Sequence, residues 1–255
     1  MSVRRDRRDK IASLSVQVGF LVALVALWYL GTAYWGISRI LLPNPVNVWA
    51  ELKDILASGE YLPDLRVTLT ELAAAFAISC TAGITLGFFI SRSPYLIKVF
   101  EPLLAGFYSV PVILFLPLYV LFFGLGPGSK IALGTTISFF PIVLNTIAGF
   151  GYVDKIFITA ARSMGASDFQ MFRYVLLPAA FPVILTGLRM GFTVALLAIL
   201  GSETIASLAG LGHRIVHLAE AMETARMFAY IAFVVVIAAL LNTAMSTLER
   251  RAKRR

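Results

Sequence analysis

The sequence predicts an all-α membrane protein with six transmembrane helices, and three observations carry that prediction. Of its 255 residues, 59% are hydrophobic and 14% charged, whereas a soluble globular chain is roughly half apolar and a quarter charged. The charges are also confined to the edges of long apolar runs. None occurs between Lys10 and Arg39, Glu71 and Arg92, Glu101 and Lys130, Lys130 and Asp154, or Arg226 and Glu249. Each run is at least 20 residues long, enough for a helix to cross ~30 Å of hydrocarbon.

In chain order the expected spans are 14–35, 68–90, 103–123, 131–151, 183–206 and 228–248. The first follows Arg4, Arg5, Arg7, Arg8 and Lys10 and extends through Trp28, Tyr29, Tyr34 and Trp35. Its length and interfacial aromatics mark a retained helix, not a cleaved signal. A shorter segment, 46–56, carries Glu51, Lys53 and Asp54 and reads as an amphipathic surface helix with Trp49, Leu52 and Leu56 on one face. Gly83 and Gly87 in the second span form a small-xxx-small pair suited to close helix contact. Pro111, Pro117 and Pro141 predict kinks in spans three and four. The fifth span contains Arg189 and Glu203, whose heads can snorkel toward an interface. Glu71 and Glu101, near span ends, are expected in solvent. The single cysteine, Cys80, forms no intrachain disulfide.

Six spans place both termini on one side, and basic residues identify it as the cytoplasm. The N-terminal tail, the loops after spans two and four and the C-terminal tail hold 15 Lys or Arg, while the opposite side holds 6. The 152–182 loop is therefore expected in the cytoplasm. This topology and contact with anionic membrane lipids account for the net charge of +8, leaving no reason to propose nucleic-acid binding.

That loop has helical signals of its own. Gly165 suits the left-handed backbone that ends a helix. Ser167 can cap the next helix, with Asp168 in its first turn. Phe169, Phe172, Arg173 and Leu176 follow at helical spacing and lead to Pro178. Small Ala160 and Ala161 beside bulky Met164 and Phe169 suit docking into a partner's groove. The residues alone thus describe a helix, a sharp turn and a second helix forming a contact site.

The spacing of this loop resembles the E-A-A-x3-G-x9-I-x-L-P loop of binding-protein-dependent ABC importer permeases. Here it reads Thr159, Ala160, Ala161, then Gly165, then Val175, Leu176, Leu177 and Pro178, with every interval kept. Thr159 stands in the Glu position, removing a carboxylate, and Val175 stands in the Ile position. Further segments resemble the nitrate/sulfonate/taurine-type permeases: Leu42, Pro43, Asn44 and Pro45 with Trp49; Phe139, Phe140 and Pro141; Gly187, Leu188 and Arg189; Glu203 with Gly210, Leu211 and Gly212. The resemblance implies a MetI-like, type-1 transmembrane domain over 61–250. Residues 1–60 would hold a cytoplasmic tail, the first span and a periplasmic amphipathic segment, and 251–255 a basic cytoplasmic tail. It also implies a pair of such chains, cytoplasmic ATPase subunits, and a periplasmic or lipid-anchored solute-binding protein. The ATPase-coupling loop would comprise Thr159, Ala160, Ala161, Met164, Gly165, Ala166, Ser167, Phe169 and Pro178. Arg189 and Glu203 are candidates for the pathway or its gate.

Other readings are weaker. Gly124, Gly126, Gly128 and Lys130 lack the Gly-Lys-Ser/Thr order of a phosphate-binding loop and read as a turn. His213, His217 and Glu220 share a helical face, a spacing that can bind zinc, but surface helices carry such triplets by chance. They read here as an outer interfacial or re-entrant helix near the pathway mouth. No cofactor, metal or catalytic constellation is expected, so the chain is not read as an enzyme. The rival class is a stand-alone secondary transporter or channel, which predicts charge pairs or interrupted helices near the midplane.

Overall fold

The structure, a computed structural model, describes residues 2–34, 38 and 40–253, with side chains from residue 15 onward except 17, 18 and 21. Its elements are helical: α1 (Ser2–Tyr34), α2 (Pro45–Ser58), α3 (Leu62–Ser91), α4 (Pro94–Tyr108), a 3₁₀ turn (Val112–Phe115), α5 (Leu116–Phe123), α6 (Pro127–Gly151), α7 (Lys155–Ser163), α8 (Asp168–Met171), a π turn (Phe172–Leu176), α9 (Leu177–Ile205), α10 (Leu211–Glu220) and α11 (Thr224–Lys253). No strand occurs among the described residues. Four helices are long and apolar enough to cross a membrane, Leu62–Ser91, Pro127–Gly151, Asp168–Ile205 and Thr224–Lys253. A bent pair raises the number to five. Of the expected first span, 14–35, residues 14–34 lie in α1, where Val22–Tyr34 is a shorter apolar helix, and residue 35 lies outside the described residues.

Span three departs from expectation. Instead of one kinked helix over 103–123, α4 and the segment Val112–Phe115 with α5 meet at 72°. Pro111 explains the break: it has no N–H to continue α4, and it pushes Val110 out of the helical region. Pro117 sits in the first turn of α5, where a missing N–H is harmless. Pro141 lies inside α6 without interrupting it. Asn145 Nδ2 donates to the Pro141 carbonyl at 2.8 Å.

The chain forms two compact units, Met1–Tyr61 with Ile215–Phe233, and Leu62–Arg214 with Val234–Arg255. The first is built around α2. Asn44 caps it, its side chain accepting from Val46 N at 2.9 Å, and Gly59 closes it with φ 72°. Val48 and Ile55 are buried with Leu218, Ala229 and Tyr230, and Leu52 packs against them. The buried stripe is thus 48, 52 and 55, as about 100° per residue dictates. Trp49 and Leu56, read with Leu52 as the apolar face of a surface helix, are exposed. Arg226 pairs with Glu60 at 2.8 Å, Asp54 at 3.3 Å and Glu51 at 3.4 Å.

In the second unit α6 packs against both α3 and α9. Lipid tails are as apolar as leucine, so membrane helices adhere through close packing, which small residues permit. Gly83 and Gly87 face Ile142 and Thr146 of α6, so a Cβ at Gly87 would come within 2.6 Å of Thr146 Cβ. From the other side, a Cβ at Gly191 would meet Ile142 Cγ1 at 2.6 Å. A Cβ at Gly106 on α4 would meet nothing within 4 Å beyond its own helix backbone. Gly87→Ala and Gly191→Ala should each cost about 1–3 kcal/mol by overpacking. Gly106→Ala should be neutral or stabilise by up to ~1 kcal/mol through helix propensity. Melting temperatures of the purified protein in mild detergent check this, and equal losses in all three variants would contradict it.

Candidate functional site

The 152–182 loop is built from stacked end-signals. Asp154 caps α7, its Oδ1 accepting from Ile156 N at 2.9 Å. The helix ends in a Schellman motif: Ala166 N donates to Ala161 O at 3.1 Å, and Gly165 N to Arg162 O at 3.0 Å. Gly165 takes φ +76° there, the left-handed backbone its sequence position predicts. The next residue but one starts α8 with a capping box. Ser167 Oγ accepts from Gln170 N at 3.3 Å, while Ser167 N donates to Gln170 Oε1 at 2.9 Å. Asp168 lies in the first turn, as expected.

Beyond α8 the sequence reading needs correction. The helix does not stop at Pro178 but runs from Asp168 to Ile205 as one element. Pro178 has no N–H to give, and the wide π turn just before it absorbs that lost bond, with Leu177 N donating to Phe172 O. Phe172 anchors this turn, its ring 5.5 Å from Phe88 of α3 and 6.1 Å from Phe150 of α6.

Of the residues singled out in the loop, Ala161 is buried and Ala166 half-buried, while Thr159, Ala160, Met164, Gly165, Ser167, Phe169 and Pro178 are exposed. Large apolar side chains face outward: Met164 is 81% exposed and Phe169 73%. Ile156, Phe157 and Tyr174 are exposed as well. A tightly capped scaffold therefore carries an apolar surface, the combination a docking site requires. Just before α7, Tyr152 Oη donates to Glu101 Oε2 at 2.8 Å. That hydrogen bond raises the phenol above its ordinary pKa. Glu101, expected in solvent, is half-buried.

Arg189 and Glu203 lie on the same helix in different surroundings. Arg189 reaches α11, where Glu249 Oε2 accepts from Nη1 at 3.1 Å, and Lys253 pairs with the same carboxylate at 2.7 Å. Glu203 is 1% exposed. Its Oε1 accepts from Thr68 Oγ1 at 2.6 Å and its Oε2 from Gly212 N at 2.7 Å. Thr68 Oγ1 in turn accepts from Leu211 N at 3.0 Å, and Asp64 Oδ1 from Gly210 N at 3.0 Å.

Two further buried charges join this cluster. Glu71, expected in solvent, is 1% exposed, and Lys130, expected in a turn, is fully buried in the first turn of α6. Glu71 approaches Glu203 and Lys130 closely enough to interact electrostatically with both, and its Oε2 is buried without a hydrogen-bond partner. Lys130 Nζ also donates to the carbonyls of Leu125 and of Gly126, the latter at 3.2 Å. Each of these residues borders a charge-free run and so could have been solvated. The available signal was that an ionisable group bordering a span marks a polar contact within the protein. His213, His217 and Glu220 fall on α10, and among the described residues no His, Cys, Asp and Glu cluster fit for a metal ion occurs.

Residues 80–254 match the family described as the binding-protein-dependent transport system inner membrane component. The chain belongs to that family. It is 32% identical over 243 residues to the taurine transport system permease protein TauC of Escherichia coli K12, covering 93% of this chain and 88% of the relative. To the putative aliphatic sulfonates transport permease SsuC of Bacillus subtilis 168 it is 29% identical, over 89% and 83% of the two chains. In fold it matches a chain from the inward-facing MetNI methionine ABC transporter, with TM-score 0.61 and 20% identity over 73% of this chain and 93% of that one. A chain of an amino acid ABC transporter gives TM-score 0.62 at 21% identity, over 80% and 97%. The protein is therefore a multi-pass inner-membrane permease subunit of an ABC importer. In this permease the EAA-like residues coincide with the capped loop. Ser167→Ala should loosen the start of α8 by about 1 kcal/mol, and Gly165→Ala should strain the turn by roughly 1–2 kcal/mol. Faster amide hydrogen exchange confined to 164–171 is the expected readout.

Proposed function

We propose that this permease works as one of two copies in a complex whose ATP hydrolysis resides in separate cytoplasmic subunits. The exposed apolar side chains of the 159–169 segment, held on a rigid Schellman turn and capping box at EAA spacing, carry this reading. The short helix ending at Gly165 is the coupling helix, which sits in a groove of the ATPase. Both termini and this loop face the cytoplasm, a reading the 15-to-6 distribution of Lys and Arg supports. A periplasmic or lipid-anchored binding protein delivers the solute to the other face, and lipids cover the apolar helix faces. The transport domain spans 61–250, between the segment 1–60 and the basic tail 251–255.

The solute is a small nitrate-, sulfonate- or taurine-like compound, in keeping with relatives named for taurine and for aliphatic sulfonates. Arg189, tied to Glu249, acts as a gate contact between α9 and α11, and Glu203 governs the opposite end of the same helix. Transport is by alternating access, with ATP binding and the loaded receptor biasing one equilibrium between inward- and outward-facing states.

The test is retention of the cognate ATPase by the tagged permease in mild detergent. Met164→Glu and Phe169→Asp alter exposed side chains and should leave the permease folded. Each should weaken ATPase retention by roughly tenfold or more, the scale of losing an interface anchor. A parent permease that never retains the ATPase would refute the reading. So would taurine and alkanesulfonate uptake that survives both substitutions.

A further inference from the structure

The helix that begins in the docking loop ends in the buried polar cluster. From Asp168 to Ile205 it is 38 residues, about 57 Å at 1.5 Å per residue. The capping box of the loop forms its first turn and Glu203 lies in its last. At that far end three consecutive backbone amides, those of Gly210, Leu211 and Gly212, are each taken by a side chain: Asp64, Thr68 and Glu203. Two of these acceptors come from α3 and one from α9. The turn fits no other way. Gly210 has φ +109°, and a Cβ there would collide with the Glu203 carboxylate. A Cβ at Gly212 would lie 2.5 Å from Leu200 O.

Thr68, Glu203 and Leu211 are each at most 2% exposed. No solvent reaches these amides, and releasing one leaves it unpaired. The turn is consequently fastened to the end of the long helix, and from it the chain continues into α10.

We infer that Glu203 is a positioning residue for transport: it makes the 210–212 turn move as one body with helix Asp168–Ile205. Displacement of the coupling loop by the ATPase then reaches the opposite membrane face, where the loaded binding protein docks, without an intervening hinge at this joint. Glu203 acts through the turn and α3 and contacts no solute. The inference rests on the importer reading above, and its test separates the two.

The permease, its ATPase and the binding protein are reconstituted in nanodiscs with the parent chain, Glu203→Ala, Thr68→Val and Thr68→Ser. ATPase retention is measured first, then the ratio of hydrolysis stimulated by loaded binding protein to basal hydrolysis. A ratio does not depend on how much complex is folded, so a merely structural role leaves it at the parental value. Glu203→Ala and Thr68→Val should keep the ATPase bound and lower the ratio by roughly tenfold, within the ordinary range of coupling between sites. Thr68→Ser keeps the hydroxyl and should restore most of it. A parental ratio in Glu203→Ala overturns the inference. If Glu203→Ala fails to assemble, Thr68→Val decides on the same criterion. Failure of the parent to retain the ATPase would instead strike at the importer reading.

Discussion

A backbone amide buried away from water must find its partner within the protein. The 210–212 turn meets that constraint with three side chains from two helices, and much of the second unit is arranged around it. Asp64 and Thr68 lie one turn apart on α3 and point the same way because positions four apart share a helical face. Glu203 closes the triangle from α9, at hydrogen-bond distances of 2.6 and 2.7 Å. Glu71 and Lys130 extend the polar contact to the start of α6, so three membrane helices meet through buried polar groups at one end.

Below that end, cohesion is a matter of shape. Gly83 and Gly87 of α3 and Gly187 and Gly191 of α9 let α6 approach both neighbours at backbone distance. Such contacts replace the hydrophobic drive that is missing in lipid. The aromatic trio Phe88, Phe150 and Phe172 then fixes the 152–182 loop to the same helices. Loop and clamp are thereby opposite ends of one packed body, an arrangement the proposed coupling requires.

The fold class and four spans were legible because charge-free runs of sufficient length have one physical interpretation in a chain this apolar. The loop was legible because Gly165, Ser167 and Asp168 are end-signals whose chemistry is local. What escaped the sequence was non-local. Pro111 breaks its span while Pro141 does not. Pro178 reads as a stop, but the π turn before it lets the helix pass. Glu71 and Lys130 read as solvated ends, since only the fold reveals that they converge with Glu203 across three helices.

The central claim is that the docking loop and the buried clamp are joined by one unbroken element. Arg173, just past the loop's capping box, and Ile205 are both exposed, and Cys80 is the only cysteine to remove. Spin labels at Arg173→Cys and Ile205→Cys in a Cys80→Ser background should lie about 48 Å apart along the helix. Pulsed electron paramagnetic resonance of the assembled importer should give one narrow distribution at that distance, unchanged between nucleotide-free and ATP-trapped states. A second population, or a shift of several ångströms on trapping ATP, would show that the helix bends during the cycle and would contradict the account.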